Sequence, residues 1–219
     1  SPILNIFKKL LKVLIMVAKK IDQYMKPHGE EGIKTIKDMN EEHRHISEFA
    51  FESVDVGKND KILDIGCGGG ANIEKFLKLT ENNVDGLDYS NISVQESIKR
   101  NQKAIDGGRC SVIQGDVSDM PIDDKSYDLI SAFSTIYFWP ELDETFKEVA
   151  RVIKPKGRFM IAQGTDGNHP DDEKWISTIE GMRIYNAGEL NEYLLNAGFN
   201  SIENYKKKNE HLLVVIAQK

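Results

Sequence analysis

The stretch "KILDIGCGGGANI", Lys61 to Ile73, restricts this chain more than any other. Four glycines and one carboxylate lie between two apolar runs, so a short buried strand must end in a bend and restart as a helix near Ala71. Glycine lets the backbone approach a ligand closely, and the helix start aims free N–H groups at it. The spacing of Gly66, Gly68 and Ala71 is the G-x-G-x-x-A pattern of dinucleotide folds, a weak signal when it stands alone.

The rest of the chain alternates in the same way. Apolar strand candidates fall at about 61–65, 83–87, 110–114, 127–133, 157–163, 201–205 and 212–217, with helices at about 71–79, 90–103, 142–153 and 187–197. Such alternation argues for an α/β domain around a mainly parallel sheet. The last two strands are joined only by the polar turn "KKKNEH", too short for a helical crossover, so they must be antiparallel neighbours. At 219 residues the chain suits one sizeable domain with a short extension. We place an N-terminal amphipathic helix and cap or lid segment at 1–39 and the main domain at 40–219. The longest irregular region is expected in "GTDGNHPDDEKWISTIEGMRIYN".

Three carboxylates give the bend a ligand. Asp64 lies inside the first strand, where a buried carboxylate needs a cationic or hydrogen-bonding partner such as a ligand ammonium. Asp88 ends the second strand in "VDGLDYS", where it can accept both hydroxyls of a ribose. Asp116 follows the third strand in "VIQGDVSDMPIDDKSYDLI", where it can accept the amino hydrogens of an adenine. A molecule with an amino acid end, a ribose, an adenine and no phosphate is S-adenosylmethionine. The competing reading is a nicotinamide-dependent oxidoreductase, but no Tyr-x-x-x-Lys pair appears and Asp64 is out of character for it.

With "ILDIGCGGG", "VDGLDYS", "GDVSDMPIDDKSYDLISAFSTIYFW" and "EVARVIKPKGRFMIA" in this order, residues 40–219 resemble the class I S-adenosylmethionine-dependent methyltransferases. Within them the chain is similar to the broad group that looks like the ubiquinone-biosynthesis C-methyltransferases. The resemblance implies an α/β, Rossmann-like, seven-stranded and mainly parallel sheet with an antiparallel last strand and helices on both faces. It also implies roles by position. Asp64, Gly66 and Gly68 would face the methionine part, Asp88 and Tyr89 the ribose and adenine edge, and Asp116 with Val117 the adenine. Phe133 and Ser134 would pass under the methionine and open toward the acceptor.

The implied reaction is an in-line displacement at the sulfonium methyl, in which positioning alone can supply about 7–11 kcal/mol. A hydroxyl, thiol or amine acceptor must lose a proton, and His43, Tyr137 and His169 are the candidates to take it. Tyr137, with Phe138 and Trp139 in "TIYFWP", is expected to line the acceptor pocket. His43 and His45 are two apart, on different helix faces, and make a poor metal chelate; with only Cys67 and Cys110 as thiols, no metal site is read. A non-catalytic S-adenosylmethionine-binding protein is the alternative, against which stands the presence of all five residues Asp64, Gly66, Gly68, Asp88 and Asp116.

Charge narrows the partners. Residues 1–26 carry six lysines and one aspartate, leaving 23 basic against 34 acidic residues elsewhere, a body poorly suited to tracking phosphate backbones. No N/D-P-P-Y/F/W motif follows the fourth strand, so nucleic acid is not expected as the acceptor. The lysines of "ILNIFKKLLKVLIMVAKKIDQYMK" share one helix face, which fits either packing on the domain or an anionic membrane surface. "VLIMVA" is too short for a span or a signal-peptide core. The expectation is a cytoplasmic monomer or homodimer acting on a small molecule, with a lipid or quinone at the membrane surface as the variant reading.

Overall fold

A computed structural model of the protein describes Lys12, Met16, Asp22, Gln23 and residues 26–219. The amphipathic helix expected over residues 3–26 lies outside the described residues, apart from those few positions.

The seven strands are β1 (Ile62–Ile65), β2 (Val84–Asp88), β3 (Val112–Gln114), β4 (Tyr127–Phe133), β5 (Ile153–Gln163), β6 (Ser201–Lys207) and β7 (Leu212–Gln218). They form one sheet in the spatial order 3-2-1-4-5-7-6. All pairings from β3 to β5 are parallel, and β7 runs antiparallel between β5 and β6. The Rossmann-like sheet with a reversed last strand is therefore present.

Among the described residues the helices are α1 (Gly29–Glu42), α2 (Arg44–Ser53), α3 (Ala71–Phe76), α4 (Asn91–Asp106), α5 (Leu142–Val152), α6 (Asp172–Thr178) and α7 (Ala187–Asn196), most of them packed on the sheet. The pleat explains their distribution, because alternate residues of a strand point to opposite faces. On β1, Leu63 and Ile65 join a core with Phe146 and Val149 of α5 and Leu190 and Leu194 of α7. Ile62 faces the other way, into a core with Ile46 and Ala50 of α2 and Ile73 and Phe76 of α3. Buried on both faces, these strands read as nearly unbroken apolar runs. Local signals agree: Ser90 caps α4 by accepting from the Ser93 N–H, and Asn186 and Glu189 form a capping box on α7.

Three expectations are corrected. The cap or lid segment expected before residue 40 is helical: α1 runs through it, is broken from α2 at His43, and crosses the expected 39/40 boundary. Gly32 is not a breaker there: a side chain on it would strike the backbone of Pro27, so glycine permits close packing. The strand expected from 157 begins at Ile153, and the irregular region contains α6.

Candidate active site

Strand order reverses at β1, because the chain proceeds outward to β2 and β3 and then crosses to β4 on the other side. A crevice must open at the carboxyl ends of strands about such a switch point. A cavity of about 380 Å³ lies there, walled by the turns after β1, β2, β3 and β4 and by α1, α2 and α3. Asp64, Asp88 and Asp116 line it, as do Gly66, Gly68, Tyr89, Val117, Phe133 and Ser134, so the expected cofactor positions lie around one space.

The bend after β1 uses its glycines for two different reasons. Gly66 and Gly68 both hold positive φ, at 69° and 52°. A side chain on Gly66 would collide with the Thr135 hydroxyl, whereas one on Gly68 would meet nothing within 4 Å. Gly66 therefore serves packing of the bend against the turn after β4. Gly68 keeps open space in front of the backbone.

Asp64 is 2 % exposed and is register partner to Ser131 of β4, whose hydroxyl donates to its Oδ1 at 2.7 Å. Burial, opposed by that hydrogen bond and reinforced by the Asp88 charge, pushes the Asp64 carboxyl up to about 7. Among the described residues it has no ion-pair partner, so a ligand cation would recover the cost of ionising it. Asp88 is engaged differently: Oδ2 accepts from the Gly68 N–H and Oδ1 from the Ser90 N–H, both at 2.9 Å. Burial raises its pKa while these backbone donors hold it down. The carboxylate ties β2 to the glycine bend and keeps further lone pairs for hydroxyl donors.

Asp116 sits nearer solvent, with Oδ1 accepting from both the backbone N–H and the hydroxyl of Ser118, which lower its pKa. Val117 beside it is buried. Tyr89 is half exposed, with the Lys26 ammonium 5.4 Å from its ring centre, and burial pushes its hydroxyl up to about 12. Phe133 belongs to an aromatic group with Phe51 and Phe76, and Ser134 holds a positive φ of 51°. The Ser134 hydroxyl is buried with no partner among the described residues, an orphan donor at the cavity wall.

His43 ends α1 and lines the cavity; His45 is exposed and does not. Tyr137 requires a correction. It is buried away from the cavity wall, its hydroxyl accepts from the Gly164 N–H at 3.2 Å, and burial raises its pKa, so it does not offer a base to an acceptor. The reason is the tight helical turn Ile136–Phe138, which sends successive side chains in different directions and leaves Phe138 and Trp139 on the cavity. His169 also lies off the cavity, stacked on Trp175 and edge-on to His211. Sequence reasoning missed Ser47, Asn72 and Lys75, which line the α2–α3 wall. Nothing in the spacing of α2 against α3 pairs them, although Asn72 and Lys75 are three apart on one helix face.

The order of the strands and what closes their ends set the class of fold, a Rossmann-like methyltransferase fold. Residues 63–161 match the family described as a methyltransferase domain. Among particular proteins, the chain is 28% identical over 171 residues to a sterol 24-C-methyltransferase of Aspergillus fumigatus, covering 74% of this chain and 45% of that one. The chain thus spans less than half the length of the sterol methyltransferases it matches. An S-adenosylmethionine-dependent methyltransferase from Aquifex aeolicus shares the fold, with a TM-score of 0.70, 19% identity, and coverage of 84% of this chain and 97% of that one. So does geranyl diphosphate methyltransferase in complex with S-adenosylmethionine, with a TM-score of 0.64, 15% identity, and coverage of 78% and 83%. The residues present fit that cofactor: a buried carboxylate without a cation, an open glycine and an orphan hydroxyl face one cavity of suitable size.

Proposed function

We propose that the chain transfers the methyl group of S-adenosylmethionine to a small-molecule acceptor, releasing S-adenosylhomocysteine. The observation that carries this reading is the arrangement of Asp64, Asp88 and Asp116, from the ends of three successive strands, around a single cavity. Bound there, the sulfonium supplies an activated methyl with a neutral leaving group.

The chain's own residues then have defined tasks. Asp64 holds the ammonium of the amino acid end, while Asp88 accepts ribose hydroxyls without giving up the Gly68 N–H that shapes the bend. Asp116 and Val117 take the adenine edge, and Phe133 and Ser134 bound the methionine part. Fixing both ends of the donor leaves the methyl one direction of approach, and such orientation is worth about 7–11 kcal/mol in well-oriented systems. His43 lines the cavity, which supports its taking a proton from a hydroxyl, thiol or amine acceptor. A carbon acceptor of the sterol type would make a different demand: apolar walls that exclude water, which Ile36, Met39, Ile46 and Trp139 supply. These walls, and the sterol methyltransferases among the relatives, favour an apolar acceptor.

Calorimetric titration with S-adenosylmethionine, S-adenosylhomocysteine and NADH tests the reading, repeated on Asp88→Ala. The expected outcome is micromolar binding of the two sulfur ligands, none of NADH, and marked weakening in the variant. Failure of folded wild-type protein to bind either sulfur ligand would refute it.

A further inference from the structure

The cavity has a charge division that the donor roles assigned above leave unused. Its three carboxylates, Asp64, Asp88 and Asp116, come from the strand ends, whereas the cationic side chains on its wall, Arg44 and Lys75, come from α2 and α3. Among the described residues no other acidic side chain lines it.

Lys75 is held in place from two sides. Its ammonium donates to the Ser47 hydroxyl oxygen at 2.8 Å, and that hydroxyl donates onward to Asn72 Oδ1 at 2.6 Å. The Phe51 ring lies beneath it, 5.6 Å from ammonium to ring centre. Ser47 is buried, so this chain of donors has one direction and cannot relax into water. The ammonium retains N–H donors beyond the one given to Ser47 and makes no ion pair among the described residues. Partial burial lowers its pKa, against the opposing Glu48 charge and with the Arg44 and Lys78 charges, so a bound anion would repay desolvation that these neighbours leave uncompensated. Beside it the wall turns apolar through Ile46, Met39 and Ile36.

The geometry points to Lys75, fixed by Ser47 and Asn72, as the group that receives an anionic headgroup of an otherwise apolar methyl acceptor. A carboxylate or phosphate on a hydrocarbon chain would place its charge at the α2–α3 wall and its chain along Ile36, Met39 and Ile46. This rests on the methyl-transfer reading of the cavity and names the substrate class within it. The carboxylate of the donor's own amino acid end is the one other anion the cavity would receive, and the test separates the two.

Wild type, Lys75→Met and Lys75→Arg are first titrated with S-adenosylhomocysteine. Each is then saturated with it and titrated with octyl phosphate, octanoate and 1-octanol, reading tryptophan fluorescence and heat. In wild type the two anions are expected to bind at least about tenfold tighter than the alcohol, the size of one charge-assisted hydrogen-bonded contact. Lys75→Met is expected to erase that preference and leave the alcohol and S-adenosylhomocysteine within about twofold of wild type, while Lys75→Arg keeps most of it. Thermal unfolding of each variant confirms that it is folded. Equal binding of anions and alcohol by wild type, or an unchanged preference in Lys75→Met, would overturn the assignment. So would a Lys75→Met protein that loses S-adenosylhomocysteine instead, because the ammonium would then serve the donor's carboxylate. Wild type that binds no S-adenosylhomocysteine at all would instead sink the methyl-transfer reading.

Discussion

Replacing Asp64 by asparagine should make the ligand-free protein more stable and less able to bind its ligand, and the size of the gain should depend on pH. Burial raises the Asp64 carboxyl from an ordinary 3.8 to about 7. Between these values the folded state keeps a proton that the unfolded state has lost, so wild-type stability falls as pH rises from about 4 to about 7 and is flat above. At about 1.4 kcal/mol per pH unit, the cost reaches roughly 4 kcal/mol at pH 8 and roughly 1–2 kcal/mol at pH 5. The substituted amide carries no charge, and its side-chain oxygen can still accept from the Ser131 hydroxyl. The gain of Asp64→Asn over wild type should therefore grow by roughly 2–3 kcal/mol from pH 5 to pH 8. Urea unfolding at the two pH values measures it, and S-adenosylhomocysteine titration should show at least about tenfold weaker binding by the variant at pH 8. A gain that is the same at both pH values, or a variant less stable than wild type at pH 8, would refute the reasoning.

Other perturbations separate folding from binding. Gly66→Ala drives a side chain into Thr135 at positive φ and should cost about 2–4 kcal/mol in chemical unfolding. Gly68→Ala meets no neighbour, should cost only about 1 kcal/mol, and should weaken S-adenosylhomocysteine in calorimetry by partly filling the space in front of the bend. Tyr137→Phe leaves the Gly164 N–H without its partner and should lower stability by about 1–2 kcal/mol with no change in S-adenosylhomocysteine affinity or its pH profile. Lower affinity for S-adenosylmethionine at pH 6 than at pH 8 is expected in wild type, because only ionised Asp64 attracts an ammonium; pH-independent affinity would count against that role.

The parallel strands are readable because burial on both faces leaves each as an apolar run, as "ILDI" and "YDLISAF" are. The antiparallel direction of β7 follows from the length of one turn alone. The helix α1 is not readable, because Gly29 and Gly32 resemble turn punctuation until the packing of Gly32 on Pro27 is known. At the site, Asp64, Asp88 and Asp116 can be found because the first lies one residue before the end of its strand, the second ends its strand and the third follows one, and strand ends converge by topology. Tyr137 cannot be separated from Phe138 and Trp139, since three adjacent aromatics carry no sign of which one a tight turn directs inward. Ser47 and Lys75 lie 28 positions apart and meet only because two helices cross beside the bend.

Ser90, whose N–H binds Asp88 Oδ1, donates its own buried hydroxyl to the Pro27 carbonyl at 2.8 Å, and Lys26 covers the Tyr89 ring. The carboxylate assigned to the ribose is thus linked through one residue, by two hydrogen bonds, to the point where the preceding chain arrives. Reciprocity makes these two events one equilibrium. Whatever engages the residues ahead of Pro27, and so draws that carbonyl toward or away from Ser90, changes nucleoside affinity by some factor; nucleoside binding changes that engagement by the same factor.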